Sequence, residues 1–469
     1  MNNIKNFYTQ KFISAFNINL YYHVIFIFLF TLASCIILAA IPGYFSNDEL
    51  EIIDSLSKNG LSESIWSFSG MRHNAFFRPL GYQFLELTIF YGKLPFMAHC
   101  LNVIIHGLVC IGVYVLIKEL SDQRRAVAAA CIFAVSPLAA FSVGWVVAIY
   151  DILVTGFIVL ALISVLRIAV TGSKLWLGVL VLATTGAILS KETWIILPLF
   201  IFTLSLTQHG RERRIIFFSS IALGFIALLY LCIRLPGLTS IGLGQSGGYG
   251  LSIGKNVFNN LIAYISFPFS PLTIEVIGFE SQASIINFVV PLMILFSALI
   301  AGIYATSLRA VALGAIFFIG YLLPVIFITK HESQYLYGAG VPFSMLIAVL
   351  VCDLKRILNR VVGVILCAIL VAHTLVIDIN LYITGQCQTS ILNSLNTLFP
   401  NSINTTSSRF PLIPIAPNQD TRWWILARAI HNNKNSSDAR GLVVFTEKKN
   451  DAQLIFNQQC LIERVKKEN

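Results

Sequence analysis

Charged side chains are scarce in this chain, and several of them interrupt otherwise apolar sequence at turns. Asp48 and Glu49 follow a long apolar run, in Tyr44-Phe-Ser-Asn-Asp-Glu-Leu50. Asp151 ends Gly144-Trp-Val-Val-Ala-Ile-Tyr-Asp151, and Lys191 and Glu192 stand in Leu189-Ser-Lys-Glu-Thr193 between two further runs. Arg72, His73 and Arg78 fall in the stretch after Asp48, Arg234 closes another run, and Lys330, His331 and Glu332 lead into Tyr335 and Tyr337. Each has an ordinary explanation alone: a carboxylate pair beyond a membrane helix is commonly a solvated loop, and Lys191 with Glu192 could be an interfacial anchor with a local ion pair. As a set they carry more weight, because an ionisable group close to hydrocarbon is costly and usually functional. Carboxylates can hold an acceptor hydroxyl while Lys191 and an arginine grip an anionic leaving group. That division of labour suits transfer from a phosphate-linked lipid whose tail stays in the bilayer.

The elements that must position these residues are membrane helices. Of 469 residues 57% are hydrophobic and 12% charged, about half the charged share of a soluble domain. A spanning helix needs about 20 apolar residues, and such runs lie near 22–41, 96–117, 126–146, 149–170, 175–190, 194–208, 215–233, 286–306, 310–329, 335–352 and 361–378. The stretch 126–170 is too long for one helix and reads as a tight hairpin with Asp151 at its turn. The run 22–41 follows Lys5 and Lys11 but is too long for a signal segment, so it reads as a retained first span.

The net charge of +10 does not indicate nucleic acid, because the basic residues gather in alternate connections: Lys118, Arg124 and Arg125; Lys174; Arg211, Arg213 and Arg214; Arg309; Lys355, Arg356 and Arg360. The positive-inside rule then places the N-terminus in the cytoplasm and the C-terminus outside. All the chemistry-bearing turns fall on the outer face. Two outer loops, about 42–95 and 234–285, are long; the first carries Leu56, Leu61, Ile65, Trp66 and Phe68, as expected of short interfacial helices, and the second opens on a glycine-rich stretch.

The expected organisation is an all-α polytopic membrane domain over 1–378 followed by a small polar α/β domain outside the membrane over 379–469. That second domain has alternating segments at 441–445 and 451–456 and a helical pattern near 421–430. Its cysteines, Cys387 and Cys460, are candidates for a disulfide in an oxidising compartment. The other seven lie in apolar runs as small hydrophobes. His99, Asn102 and His106 share one face of the second span and read as a polar seam between helices rather than metal ligands, although His99 stands near enough to the outer face to reach substrate. No metal site is indicated.

In their order along the chain, Asn47-Asp48, Phe77-Arg-Pro-Leu80, Phe96-Met-Ala-His-Cys-Leu-Asn-Val-Ile-Ile-His106, Phe133-Ala-Val-Ser-Pro137, Trp145 to Asp151, Leu189-Ser-Lys-Glu192 and Gln334-Tyr-Leu-Tyr337 resemble the multispanning glycosyltransferases of the GT-C superfamily. The resemblance covers about residues 40–350 and is similar to the group holding bacterial membrane glycosyltransferases, including O-antigen-modifying (serotype-conversion) glucosyltransferases, and the tetratricopeptide-bearing O-mannosyltransferases. It implies a GT-C bundle, for which the counted apolar runs give about eleven spans, and an inverting transfer from a polyprenyl-phosphate sugar outside the cytoplasmic membrane. Asp48, with Glu49 beside it, takes the place of the acceptor-activating base. Asp151 takes the second outer acidic position, Lys191 a donor-phosphate contact and Arg78 the Arg-Pro position, with Arg234 a further donor-phosphate candidate. Glu192, Arg72, His73, His99, His331, Tyr335 and Tyr337 would support donor or acceptor. The chain departs from the pattern in two places. Ala148-Ile-Tyr-Asp151 stands where relatives have Gly-Arg before the acid, and His331-Glu-Ser-Gln334 stands in place of a Glu-Arg pair.

The expected function is sugar transfer, with glucose as the sugar, to a surface glycan of O-antigen type in lipopolysaccharide, in the bacterial inner membrane. No organic cofactor is expected, metal dependence is left open, and a separate donor-synthesising enzyme and flippase would supply the carrier. The alternatives are a protein or lipid A glycosyltransferase of the same superfamily, or a lipid-linked oligosaccharide flippase or transporter. The concentration of charge on one side and the absence of two Gly/Pro-broken halves weigh against transport.

Overall fold

A computed structural model of the protein describes residues 18–43, 71–72, 76–91, 95–240, 254–269, 285–306, 308–328, 332–353 and 356–398, with four short strands between 410 and 464. Its helices are α1 (Ile18–Ser34), α2 (Ile36–Ala39), α3 (Pro79–Leu85), α4 (Pro95–Leu120), α5 (Gln123–Ala134), α6 (Pro137–Gly144), α7 (Ile149–Thr171), α8 (Lys174–Ser190), α9 (Leu197–Ser205), α10 (Gly210–Ser240), α11 (Lys255–Ser266), α12 (Ile285–Ala305), α13 (Leu308–Leu322), α14 (Gly340–Val351) and α15 (Ile357–Leu398). Every apolar run counted in the sequence holds one of them. By length and composition four helices can cross a membrane among the described residues, and five if the bent pair α5 and α6 forms one span; the remaining apolar helices are shorter.

Burial ranks these helices. In α7 83% of the spanning window is buried, against 28% in α10 and 39% in α15. α7 is therefore the central post, while α10 and α15 turn Phe218, Phe225, Leu228, Val364 and Ile365 outward. Lipid covers such a face at no cost, so the helices need not be amphipathic.

Local sequence explains the breaks. Asp122 caps α5 by accepting from the amides of Arg124 and Arg125, both at 3.0 Å. The apolar run then bends by 50° between α5 and α6. Pro137 can only start a helix, and the Ser136 hydroxyl accepts the Leu138 amide, so the chain stops and restarts there. A 3-10 turn, Val146–Ala148, reverses the chain into α7. α7 ends at Gly172, whose φ of +66° needs a glycine, and Ser173 caps α8. Lys191 leaves α8 in an extended conformation, and a second 3-10 turn, Glu192–Ile196, leads into α9.

The two ends of the bundle differ in charge. Arg167 pairs with Glu119 at 2.5 Å, Arg211 approaches Gly172, and the 352 turn lies near Asp122, Arg124 and Arg125. This basic end lies opposite Asp151, some 24 Å away along α7 at 1.5 Å per residue.

Three features differ from, or add to, the sequence expectation. α15 continues to Leu398 without a break, so the polar composition after Asp378 begins inside a helix and not at a domain boundary. The stretch 79–91, read as loop, forms α3 and a π-helical turn, Glu86–Tyr91. β1 (Phe410–Pro414), β2 (Val443–Phe445), β3 (Leu454–Phe456) and β4 (Ile462–Arg464) form one sheet in the order β2-β1-β3-β4, parallel except between β3 and β4. The helical pattern near 421–430 and the interfacial pattern at 56–68 lie outside the described residues.

The seam on α4 binds neighbouring backbone. His99 Nε2 meets the Gly43 carbonyl at 3.1 Å, and Asn102 Nδ2 donates to the carbonyls of Val143, Trp145 and Val146 at 3.3, 3.2 and 3.4 Å. His106 Nδ1 meets the Tyr337 hydroxyl at 2.7 Å. Asn102 thus holds the turn that aims α7. Asn102→Ala would strip a buried turn of its donor and is expected to cost about 1–3 kcal/mol, read as a lower midpoint of thermal denaturation in detergent; an unchanged midpoint would show that the turn does not depend on it. At Gly81 a Cβ would overlap the Tyr150 ring. Gly81→Ala is expected to lose about 1–3 kcal/mol by overpacking, measured in the same way, and to push Tyr150 from its place beside Asp151.

Candidate active site

The α7–α8 hairpin brings the first pair of charges together. Asp151 lies 21 residues before Gly172 and Lys191 lies 19 after it, so the two arms, each about 30 Å long at 1.5 Å per residue, return to the same level. Asp151 occupies the first turn of α7 and Lys191 the C-terminal cap of α8. Each charge therefore stands at the helix end whose dipole favours it. Their side chains meet at 2.5 Å, Lys191 Nζ to Asp151 Oδ1, with only 5% and 10% of the side chains exposed. Lys191 also stands over the Tyr335 ring, 4.7 Å from its centroid, a cation–π contact supplied by the 3-10 turn Ser333–Leu336.

Glu192 is the hub of a second group. Its Oε1 accepts from the Phe77 amide at 2.9 Å and faces Arg234 Nη2 at 3.6 Å, while its Oε2 accepts from Arg78 Nε at 3.1 Å. Burial pushes the Glu192 carboxyl up, but Arg78 chiefly, then the Phe77 amide, pull it further down, so it stays below the usual carboxylate range. Burial works against the Arg78 cation as well, and Glu192 more than restores it, with smaller help from Tyr150, Tyr82 and Asp151. Arg78 is sandwiched by rings, 4.6 Å from the Phe76 centroid and 5.1 Å from that of Tyr150. Glu192 takes only its Nε.

The cluster gathers three cations, Arg78, Lys191 and Arg234, with two carboxylates, Asp151 and Glu192. The ion-paired set carries one surplus positive charge in a largely buried setting, and an anion would compensate it. Arg78 is suited to bind that anion, since its side chain is partly exposed and it donates to Glu192 through Nε and not through its terminal nitrogens.

Several expectations change here. Arg234 was expected to contact a donor phosphate, yet it is fully buried and donates to the Met71 carbonyl at 2.6 Å besides facing Glu192. It positions Glu192 from behind. Lys191 and Glu192 form no local pair with each other; each reaches a partner far away in sequence. Glu192, expected beside an acceptor, is occupied by cations. His99 is buried against the Gly43 carbonyl, and Tyr337 is buried on His106 rather than open to substrate. Arg72 is exposed, next to the Met71 carbonyl that holds Arg234. Asp48, Glu49, His73, Lys330, His331 and Cys460 lie outside the described residues. Cys387 is disulfide-bonded, and the seven cysteines of the apolar runs are free. The sequence reading missed Tyr150, which walls in Arg78, and the Met71 carbonyl. An aromatic in an apolar run gives no signal of its own, and a carbonyl gives none in any sequence.

Residues 83–239 match the family model described as dolichyl-phosphate-mannose-protein mannosyltransferase. No curated protein matches the chain. Among solved structures the chain is similar to the apo oligosaccharyltransferase of Archaeoglobus fulgidus, at 12% identity and a TM-score of 0.47 over 89% of this chain; it spans 64% of that protein's length. It is also similar to ArnT from Cupriavidus metallidurans, at 12% identity and a TM-score of 0.46 in the apo state, covering 90% of this chain and 85% of ArnT. ArnT bound to undecaprenyl phosphate gives 12% identity and a TM-score of 0.42, covering 90% and 86%. The segment matched by the family model supplies Tyr150, Asp151, Lys191, Glu192 and Arg234 of the charged cluster.

Proposed function

We propose that the chain transfers a single sugar, glucose in the first instance, from a polyprenyl-phosphate donor to a surface glycan of O-antigen type, on the periplasmic face of the bacterial inner membrane. The observation that carries this reading is the surplus of positive charge at the non-basic end of the bundle, with Arg78 partly exposed between two rings. A lipid phosphate can reach such a cluster while its chain stays in the bilayer. The orientation rests on the basic residues at the opposite end, Lys118, Arg124, Arg125 and Arg211, which the positive-inside rule assigns to the cytoplasm.

The chemistry is a direct displacement. The Asp48 carboxylate, assisted by Glu49, takes the acceptor hydroxyl proton as the oxygen attacks C1 of the sugar. The bond from C1 to the phosphate oxygen breaks, and Arg78 and Lys191 hold the charge that grows on the departing polyprenyl phosphate. Phosphate leaves without a general acid, and one displacement inverts the anomeric centre. The loop that carries Asp48 departs from Gly43, which meets His99; His99 also meets the backbone of Gly144, where the turn toward Asp151 begins. The loop thus starts at the charged end of the bundle. Arg72 and His73 in that loop, and His331 beside Tyr335, would line the acceptor side. A separate enzyme and a flippase would supply the donor.

The test is incubation of the purified protein with synthetic polyprenyl-phosphate sugars and lipid-linked glycans. Asp48→Asn is expected to lower the rate of transfer by about 10²–10⁴-fold, as removal of a general base does; transfer at an undiminished rate would take Asp48 out of that role. Arg78→Ala is expected to weaken the donor's hold at saturating acceptor, and an unchanged KM and kcat for the donor would remove Arg78 from the phosphate site.

A further inference from the structure

The Lys191–Asp151 pair poses a difficulty for the displacement just described. The ammonium expected to hold a phosphate is already engaged at 2.5 Å, and the carboxylate expected near an acceptor is already neutralised. Both side chains are almost wholly buried, with Tyr335 closing one side of Lys191 and Tyr150 adjoining Asp151. Taking one partner from a buried pair leaves an uncompensated charge, which is strongly unfavourable. Exchanging a partner costs less, because the incoming anion compensates one member of the pair. If a phosphate oxygen replaces Asp151 at Lys191, the ammonium stays compensated, and only Asp151 is left seeking a donor. An acceptor hydroxyl is such a donor. Arg78, the other cation that acts on Asp151, keeps its Nε on Glu192 and stays near enough to moderate the charge of the released carboxylate.

We propose that the Lys191–Asp151 pair is a latch: an anionic lipid phosphate draws Lys191 away from Asp151, and the carboxylate so released binds the acceptor hydroxyl. This rests on the reading of the site as a polyprenyl-phosphate transferase, and adds to it an order of events. Before the donor binds, Asp151 has no need of a hydroxyl, so a water or a glycan gains little there. After it binds, the acceptor position is complete. The latch makes the donor the first substrate and keeps the acceptor side from assembling around water. It also lowers apparent donor affinity, since only the opened state binds phosphate fully.

The experiment uses the full-length protein in phospholipid nanodiscs, with undecaprenyl phosphate as the probe and undecaprenol as its uncharged control. Carboxyl labelling by a water-soluble carbodiimide and a small amine is read at Asp151 and at Glu192 by peptide mass spectrometry. Undecaprenyl phosphate is expected to raise labelling at Asp151 several-fold and to leave Glu192 no more reactive, whereas undecaprenol changes neither. In parallel, Asp151→Asn is expected to bind undecaprenyl phosphate about tenfold more tightly than the wild type, because the closed state no longer competes. If that variant does not fold, the labelling arm decides the matter on the unaltered protein. Binding of undecaprenyl phosphate without a gain in Asp151 labelling overturns the latch and leaves the transferase reading in place. Failure of the wild type to prefer undecaprenyl phosphate over undecaprenol overturns that reading, and the latch with it.

Discussion

The structure turns on the cost of keeping charge near hydrocarbon. Five ionisable side chains from four stretches of the chain sit within a mostly buried cluster, and none could remain there ionised without the others. Asp151 and Lys191 compensate each other at the matched ends of a helical hairpin, and Glu192 compensates Arg78 while Arg234 braces it from a fully buried position. The surrounding bundle serves this arrangement. Asn102 holds the turn that starts α7, Gly81 lets Tyr150 lie close against α3, and the bond from His106 to Tyr337 fixes the segment that brings Tyr335 over Lys191. Replacing the cluster with apolar residues would be no burden to stability and could even raise it. Stability alone therefore gives no reason for the charges to be there.

Much of this was legible in the sequence, for identifiable reasons. The apolar helices follow from run length, because lipid leaves the backbone few alternatives to the helix, whereas the eleven spans do not: four of the described helices, or five with the bent pair, are long enough to cross. The two ends follow from the placement of lysine and arginine. That Asp151 and Lys191 share an end follows from their nearly equal distances from Gly172, since equal numbers of helical residues span equal lengths. The sequence does not reveal which carboxylate meets which cation. Glu192 follows Lys191 directly, and nothing in its neighbours points to Arg78 or Arg234; that choice is made by how α3 and α10 pack. Burial is equally hidden. Arg234 looks like an interfacial arginine at the end of a run, and its role as a brace appears only when Met71 and Glu192 are seen on either side of it.

The ends of the helices are less legible, because composition is a poor marker of where a helix stops. The shift to Asn, Ser and Thr after Asp378 reads as a new domain, yet no glycine or proline interrupts the chain until Gly385, and that glycine packs against Ile41 inside α15. Conversely, hydropathy gives no sign of the break within 126–146, where Ser136 and Pro137 bend the run by 50° into two helices that can still form one span. Hydropathy reports the solvent around a segment, whereas caps and prolines report its ends, and the two need not coincide.

The buried setting also sets the terms for any reaction at this site. In a medium of low effective dielectric a misplaced charge is expensive, so a step that creates charge must have its partner already in place. In the transfer proposed above, departure of a polyprenyl phosphate would create negative charge on a phosphate oxygen, beside a cluster whose ion-paired set has one cation more than it has carboxylates. That excess is an unfavourable feature of the resting protein, lessened by the rings packed on Arg78 and Lys191. It becomes favourable as the leaving group takes up its charge. A site balanced for the departing anion, and not for its own resting state, would bind the transition state better than the bound substrate, which is the physical requirement for acceleration.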